Sequence, residues 1–208
     1  MEEKNYHHGN LRIALIEAGI AIVNEEGMES CSLRKVAAKC GVSHAAPYSH
    51  FKDKEDLIEA MKVHVTDRFT GVLLAVVKKY EGDKMLITKF GKAYVLFFCE
   101  NPNYFTFIFG QRSFQVNLTE AFEETESYPP FEIFKKVSME VMNKLQIPKE
   151  KHLQTLIAMW AVVHGAAAIA TMGCVEFHDD WGIMIENILC QNMRLGKMAQ
   201  AEESNANG

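Results

Sequence analysis

The stretch that most constrains this chain runs from Ser32 to Phe51, SLRKVAAKCGVSHAAPYSHF. Its apolar positions Leu33, Val36, Ala37 and Cys40 fall at helical spacing, and Ser32 stands where a side-chain oxygen can cap the first backbone N–H groups. Gly41 closes that helix, because glycine enters the left-handed C-terminal conformation without a Cβ clash. Ser43 is placed to cap a second helix starting near His44. Pro47 keeps this second helix to a turn or two: at the fourth helical position its missing N–H forfeits only the first intrahelical bond. Two short helices across a tight turn, with Ala37 and Ala38 small enough for close packing, is the layout of a DNA-reading helix-turn-helix. Spacing alone also fits an ordinary helical hairpin with a solvated basic face.

Local charge favours the first of these. The whole chain is acidic, with a formal net charge of -5, which by itself argues against nucleic acid. Phosphate contacts, however, act within about one Debye length, roughly 8 Å at physiological salt. From residue 30 to 54 the charged residues are Arg34, Lys35, Lys39, Lys52 and Lys54 against Asp53. At the leading end of the second helix, Ala45 and Ala46 offer only apolar contact with thymine methyls. Base reading therefore falls to His44 and to Arg34 or Lys35. Lys54 opens a further helix, so its ammonium and the exposed N–H groups of that helix start can face one anion.

The run from His8 to about Phe69 resembles the N-terminal DNA-binding domain of TetR-family transcriptional regulators. The likeness is carried by an opening helix, then SLRKVAAKCGVS, then YSHFKDKEDL, similar to the family's Tyr-x-His-Phe signature followed by Lys and Leu. It implies backbone phosphate contacts at Tyr48, His50, Lys52 and Lys54. The candidate DNA-facing set is thus Ser32, Arg34, Lys35, Ser43, His44, Ala45, Ala46, Tyr48, His50, Lys52 and Lys54. Farther on, WAVVHG, Trp160 to Gly165, resembles the Trp-His-Gly motif of one C-terminal subclass of the same family. The resemblance implies a homodimeric repressor on a near-palindromic double-stranded DNA operator, released by a small effector.

The remainder reads as helices throughout. Residues 1–9 are polar and form an arm. Asn10 caps a support helix striped by Leu11, Ala14, Leu15, Ala18 and Ile22 and ending at Gly27. A long helix from Lys54 to Tyr80 carries Leu57, Met61, Val65, Phe69, Val72 and Val76 and passes from one domain into the next. A helix from Asp83 to about Cys99 follows, then a restart at Asn101-Pro102. Further helices span Phe131 to Leu145, Lys149 to Gly173, and from Asp179 or Asp180 onward; residues 115–127 are acidic and form an exposed loop. The fold class is all-α. A helix-turn-helix domain takes residues 1–54, an effector-binding and dimerisation bundle 55–200, and a disordered polar tail 201–208. Gly165 and Ala166 to Ala168 are small enough for close helix approach. The last two helices are accordingly the expected dimer face, a four-helix bundle from two copies, against the alternative of an intrachain hairpin.

Dense aromatics from Tyr94 to Phe114 are mostly core, and the remainder suits a cavity wall for a small, largely apolar effector. Its candidate contacts are Phe97, Phe98, Tyr104, Phe107, Trp160 and His164. The five cysteines show no C-x-x-C spacing, so neither disulfides nor zinc are expected. Cys174, Glu176, His178, Asp179 and Asp180 read as a loop capping the next helix and not as a metal site. No nucleophile elbow, dinucleotide fingerprint or P-loop occurs, so no catalytic residue, cofactor or enzymatic activity is expected. The longest low-charge run, Leu153 to Val175, reads as a buried or interface helix. No membrane span is expected, and MEEKNYHHGN lacks a signal-peptide core, which together point to the cytoplasm. The rival is a helical small-molecule carrier or enzyme whose N-terminal hairpin is purely structural.

Overall fold

In a computed structural model, residues 8–110, 116, 118 and 128–191 are described, without the side chains of residues 8–10. Every regular element among them is helical. The N-terminal arm, Phe114, most of the 115–127 loop and the 201–208 tail lie outside the described residues. Helix α1 (His8–Glu26) ends at Gly27, whose φ of 87° lies in glycine's territory. Helix α2 (Leu33–Cys40) begins and ends as the sequence dictates. The Ser32 hydroxyl accepts from the Lys35 N–H at 3.3 Å, and Gly41 takes φ 68° while its N–H reaches the carbonyls of Ala37 and Ala38. A short 3-10 helix, Ala46–Ser49, leads to α3 (Lys54–Lys79). Then come α4 (Leu86–Glu100), α5 (Pro102–Gly110), α6 (Pro129–Lys144), α7 (His152–Thr171) and α8 (181–191).

These elements divide into two compact units. The division falls at Arg68/Phe69, inside α3, and not at residue 54; the first unit also takes in the chain from Asn103. The reason is visible in the burial of α3. Its fully buried positions are Leu57, Met61, Val65, Phe69 and Leu73, an unbroken stripe at steps of four, so helix geometry carries one apolar seam straight past the expected domain boundary. The seam runs through Leu73, which is buried, and not through Val72, which is exposed.

In the first unit, α1 buries Leu15, Ile16, Ile20, Ile22 and Val23. Of the five expected positions only Leu15 and Ile22 are in this set, Leu11, Ala14 and Ala18 being half-buried, and the Met61 sulfur approaches so closely that a Cβ at Gly19 would lie 2.6 Å from it. Val36, Ala37 and Phe51 complete this core.

The second unit is organised around Phe69. Its ring lies 4.8 Å from those of Phe97 and Phe98 and 5.1 Å from that of Tyr94, stacked on the first and canted against the others. Helix α4 packs against α7 and α6. Gly91 is required there: an added Cβ would come within 2.7 Å of a Leu189 methyl and 3.0 Å of a Val163 methyl. Lys89 and Lys92 of α4 pair with Glu186 of α8 at 2.5 and 2.8 Å. The Asp180 carboxylate accepts from the Ile183 N–H at 2.9 Å, capping α8 as expected. The segment Lys149–Thr171 is long and apolar enough to cross a membrane by length and composition alone. Leu153, Ile157 and Ile169 stay exposed on it, as do Ile183 and Met184 on α8.

Phe69→Ala removes a ring with no solvent exposure from this aromatic cluster. We expect a loss of about 3–5 kcal/mol, read as a lower midpoint in urea unfolding.

Candidate nucleic-acid interface and apolar cavity

The turn after Gly41 determines what the first unit presents. Pro47 lacks an N–H and fixes its own φ, so the second helix does not start at His44 with a Ser43 side-chain cap. The chain turns through His44 and Ala45 and tightens into the 3-10 helix, with the Ser43 carbonyl, not its hydroxyl, accepting from the Ala46 N–H at 3.0 Å. Pro47 is buried beneath this turn. Ser43, His44 and Ala45 stand exposed, and Tyr48 is 63% exposed. A ring that projects this far with a hydroxyl at its tip offers a hydrogen bond to a phosphate oxygen.

The basic residues are less free than their spacing implies. Arg34 is exposed on α2. Lys35 pairs with Glu26 at 2.6 Å and Lys39 with Glu25 at 2.9 Å, both carboxylates coming from the end of α1. Such exposed pairs are worth at most about 1 kcal/mol and exchange readily for a stronger anion. Lys54 donates to the Glu29 carbonyl at 3.2 Å. The start of α3 is closed by its own residues. The Asp53 carboxylate accepts from the Asp56 N–H at 2.9 Å, and Asp56 accepts from the Lys52 N–H at 2.8 Å. This reciprocal cap occupies N–H groups that the sequence reading left open to a phosphate. Lys52 is exposed, while the His50 Nε2 is buried without a hydrogen-bond partner among the described residues.

The second unit holds a cavity of about 600 Å³. Its walls come from α4 (Ile87, Thr88, Phe90, Gly91), α6 (Phe134, Val141, Met142), α7 (Thr155, Ala158, Met159, Val162, Val163) and Leu189 of α8, with Leu145 and Ile147 between α6 and α7. Thr88, Gln154 and Thr155 are its polar side chains, and among the described residues no charged one lines it. The Thr155 hydroxyl already donates to the Lys151 carbonyl at 2.8 Å. Such a lining binds an apolar body and orients it through few polar groups.

None of the six expected effector contacts lines this cavity. Phe97 and Phe98 are buried in the Phe69 cluster, and Tyr104 and Phe107 are buried in α5, within the first unit. Trp160 and His164 belong to an internal chain of hydrogen bonds. The indole N–H of Trp160 bonds the Tyr94 phenol, whose O–H reaches the His164 Nδ1 at 3.0 Å. Burial pushes the Tyr94 phenol far above its usual range and lowers the imidazole of His164. The missed cavity residues are aliphatic side chains at ordinary helical spacing, which carry no signal separating a cavity wall from solid core. Among the described residues no group of three or more His, Cys, Asp or Glu side chains converges as a metal site.

The fold and this turn define the class first: an all-helical chain with an N-terminal helix-turn-helix. Residues 15–61 match the family described as bacterial regulatory proteins, tetR family. Over 51 residues the chain is 41% identical to the HTH-type transcriptional regulator BetI of Proteus mirabilis (strain HI4320), covering 24% of this chain and 26% of that protein. Over 57 residues it is 33% identical to the tetracycline repressor protein class D of Escherichia coli, covering 27% and 26%. The chain therefore matches about a quarter of the length of these relatives. The whole fold is shared more widely. FadR from Bacillus subtilis, solved in complex with stearoyl-CoA, superposes with a TM-score of 0.62 at 15% identity, covering 85% of this chain and 95% of that one. A TetR-like transcriptional regulator from Rhodococcus sp. RHA1 gives 0.65 at 14% identity, covering 89% and 97%. The N-terminal segment is thus TetR-type, and the fold of the chain is that of TetR-like regulators. These relatives are regulators, not enzymes.

Because folding lowers the affinity of His164 for a proton, the unfolded chain takes up a proton below about pH 6.5 that the folded chain refuses. This contribution to stability is complete above that pH and shrinks as pH falls below it. Thermal melts at pH 7.5 and 5.5 should show a smaller acid-induced drop in Tm for His164→Asn than for the wild type.

Proposed function

We propose that the chain is a ligand-responsive transcriptional regulator, acting as a repressor, that binds a near-palindromic operator as a homodimer. The observation that carries the reading is the exposed His44-to-Tyr48 turn held on a buried Pro47, in a segment that matches a DNA-binding family over residues 15–61. His44, Ala45, Ala46 and Arg34 would meet base edges. Tyr48, Lys52 and Lys54 would meet phosphates, Lys35 joining them by exchanging Glu26 for the DNA backbone, with Ser32, Ser43 and His50 holding the turn.

The apolar faces of α7 and α8 support the dimer. Ile183 is 61% exposed and Ile169 47%, and a second copy would cover both. A paired bundle would set two reading heads about 34 Å apart, one duplex repeat. The Trp160–His164–Gly165 run supports membership of the Trp-His-Gly subclass, with Trp160 and His164 as half-buried partners in the hydrogen-bond chain to Tyr94. The cavity would take a small, largely apolar effector, and such a molecule would act by favouring the conformation with the wrong spacing between heads. The place of work is then the cytoplasm, where bacterial DNA lies.

Selection of fragments from the source genome tests the reading: a short inverted-repeat consensus supports it, and enrichment no greater than that of a bulk competitor overturns it. On the recovered duplex, Tyr48→Phe and Lys54→Ala should each weaken binding several-fold to all sequences alike, with a shallower salt dependence for Lys54→Ala. His44→Ala should also change sequence preference.

A further inference from the structure

Within the first unit, three helices meet at one partly buried polar cluster. Tyr104, in the first turn of α5, is 4% exposed, and its O–H donates to the Glu17 carboxylate of α1. The Nε2 of His64, on α3, lies 2.9 Å from the same carboxylate oxygen and 3.3 Å from the Tyr104 hydroxyl. The Arg68 guanidinium sits 5.7 Å over the Tyr104 ring. One residue before Tyr104, the Asn103 carbonyl accepts from the Asn24 side-chain amide of α1 at 2.8 Å. Glu17 and Asn24 are seven residues apart, two turns on one face of α1, so α1 holds the beginning of α5 at two points.

What enters that beginning is α4. Asn101 alone separates Glu100, the last residue of α4, from Pro102, the first of α5. The Asn101 side chain donates to the Phe97 carbonyl at 2.8 Å, and Pro102 has a fixed φ, so the connection is short and has little torsional freedom. Helix α4 also lines the apolar cavity, through Ile87, Thr88, Phe90 and Gly91. A shift of α4 along or about its axis is therefore delivered by the covalent chain to the turn that carries Tyr104.

We infer that Tyr104, Glu17 and His64 form a latch by which the state of the apolar cavity is passed to α1, the helix that supports the DNA-reading turn. These are positioning residues, and the inference rests on the reading that the cavity controls DNA binding. Each latch atom belongs to a different helix, and an ion-supported hydrogen bond depends steeply on distance and angle. Core aliphatic contacts, which slide by a few tenths of an ångström at small cost, transmit such a displacement less sharply.

The test is a double-mutant cycle on the full chain, with the cavity filled by its own side chain in place of an unidentified effector. Val141→Trp fills the cavity from α6, away from the exposed faces of α7 and α8, and Leu145→Trp serves if Val141→Trp lacks the helical circular dichroism of the wild type. Affinity for the genome-selected duplex is measured with and without the filling residue in three backgrounds: wild type, Tyr104→Phe and Glu17→Gln. We expect filling to change affinity at least fivefold in the wild type and less than twofold in both latch variants. A merely structural Tyr104 would lower the affinity of filled and unfilled protein by the same factor. An equal effect of filling in all three backgrounds overturns the latch while leaving cavity control standing. No effect of filling in any background overturns cavity control, and the latch with it.

Discussion

The rest of the structure depends on the apolar seam of α3. Leu57, Met61, Val65, Phe69 and Leu73 are each fully buried at intervals of one helical turn. The first three belong to the first unit, and the last two to the second. Helix α3 therefore supplies side chains to the cores of both units.

The two ends of that element meet different chemical demands. On the reading side, a glycine with left-handed backbone and a proline that cannot donate compress the second helix into a few residues, leaving His44 and Tyr48 outside and Pro47 inside. Positive charge there is rationed, since Lys35 and Lys39 rest on Glu26 and Glu25. On the proposed function, such pairing would moderate non-specific attraction to phosphates and leave base contacts to decide where the protein sits. On the cavity side, the lining is aliphatic and aromatic with three neutral polar side chains, so shape and apolar contact govern what fits.

Much of the fold was legible because it is fixed by local chemistry. The Ser32 cap, the Gly41 stop, the Pro102 restart and the Asp180 cap each involve residues within four positions of one another, and all four stand where the sequence places them. The domain boundary was harder to read, because a seam at steps of four gives no sign of where one core ends and another begins. Val72 and Leu73 illustrate the limit: both fit the period, and tertiary packing alone chooses between them. The pairing of Lys35 with Glu26 and of Asp56 with the α3 start changes the electrostatics of the reading surface. The first is set by how two helices cross and cannot be read from spacing, whereas the second had a local signature, Asp-x-x-Asp, that was available. The aromatics are hard to place for a related reason. A stripe shows that a side chain is buried, but Tyr104 and Phe107 are buried in the first unit while Phe97 and Phe98, a few residues earlier, are buried in the second.

The central claim is that this chain meets DNA through the turn from Ser32 to Lys54. Amide hydrogen exchange on the full chain, with and without the genome-selected duplex at fixed salt, tests it most directly. The account predicts slowed exchange within residues 32–54 and none of comparable size in α6. Slowing confined to α6, with residues 32–54 exchanging as in the free protein, would contradict it.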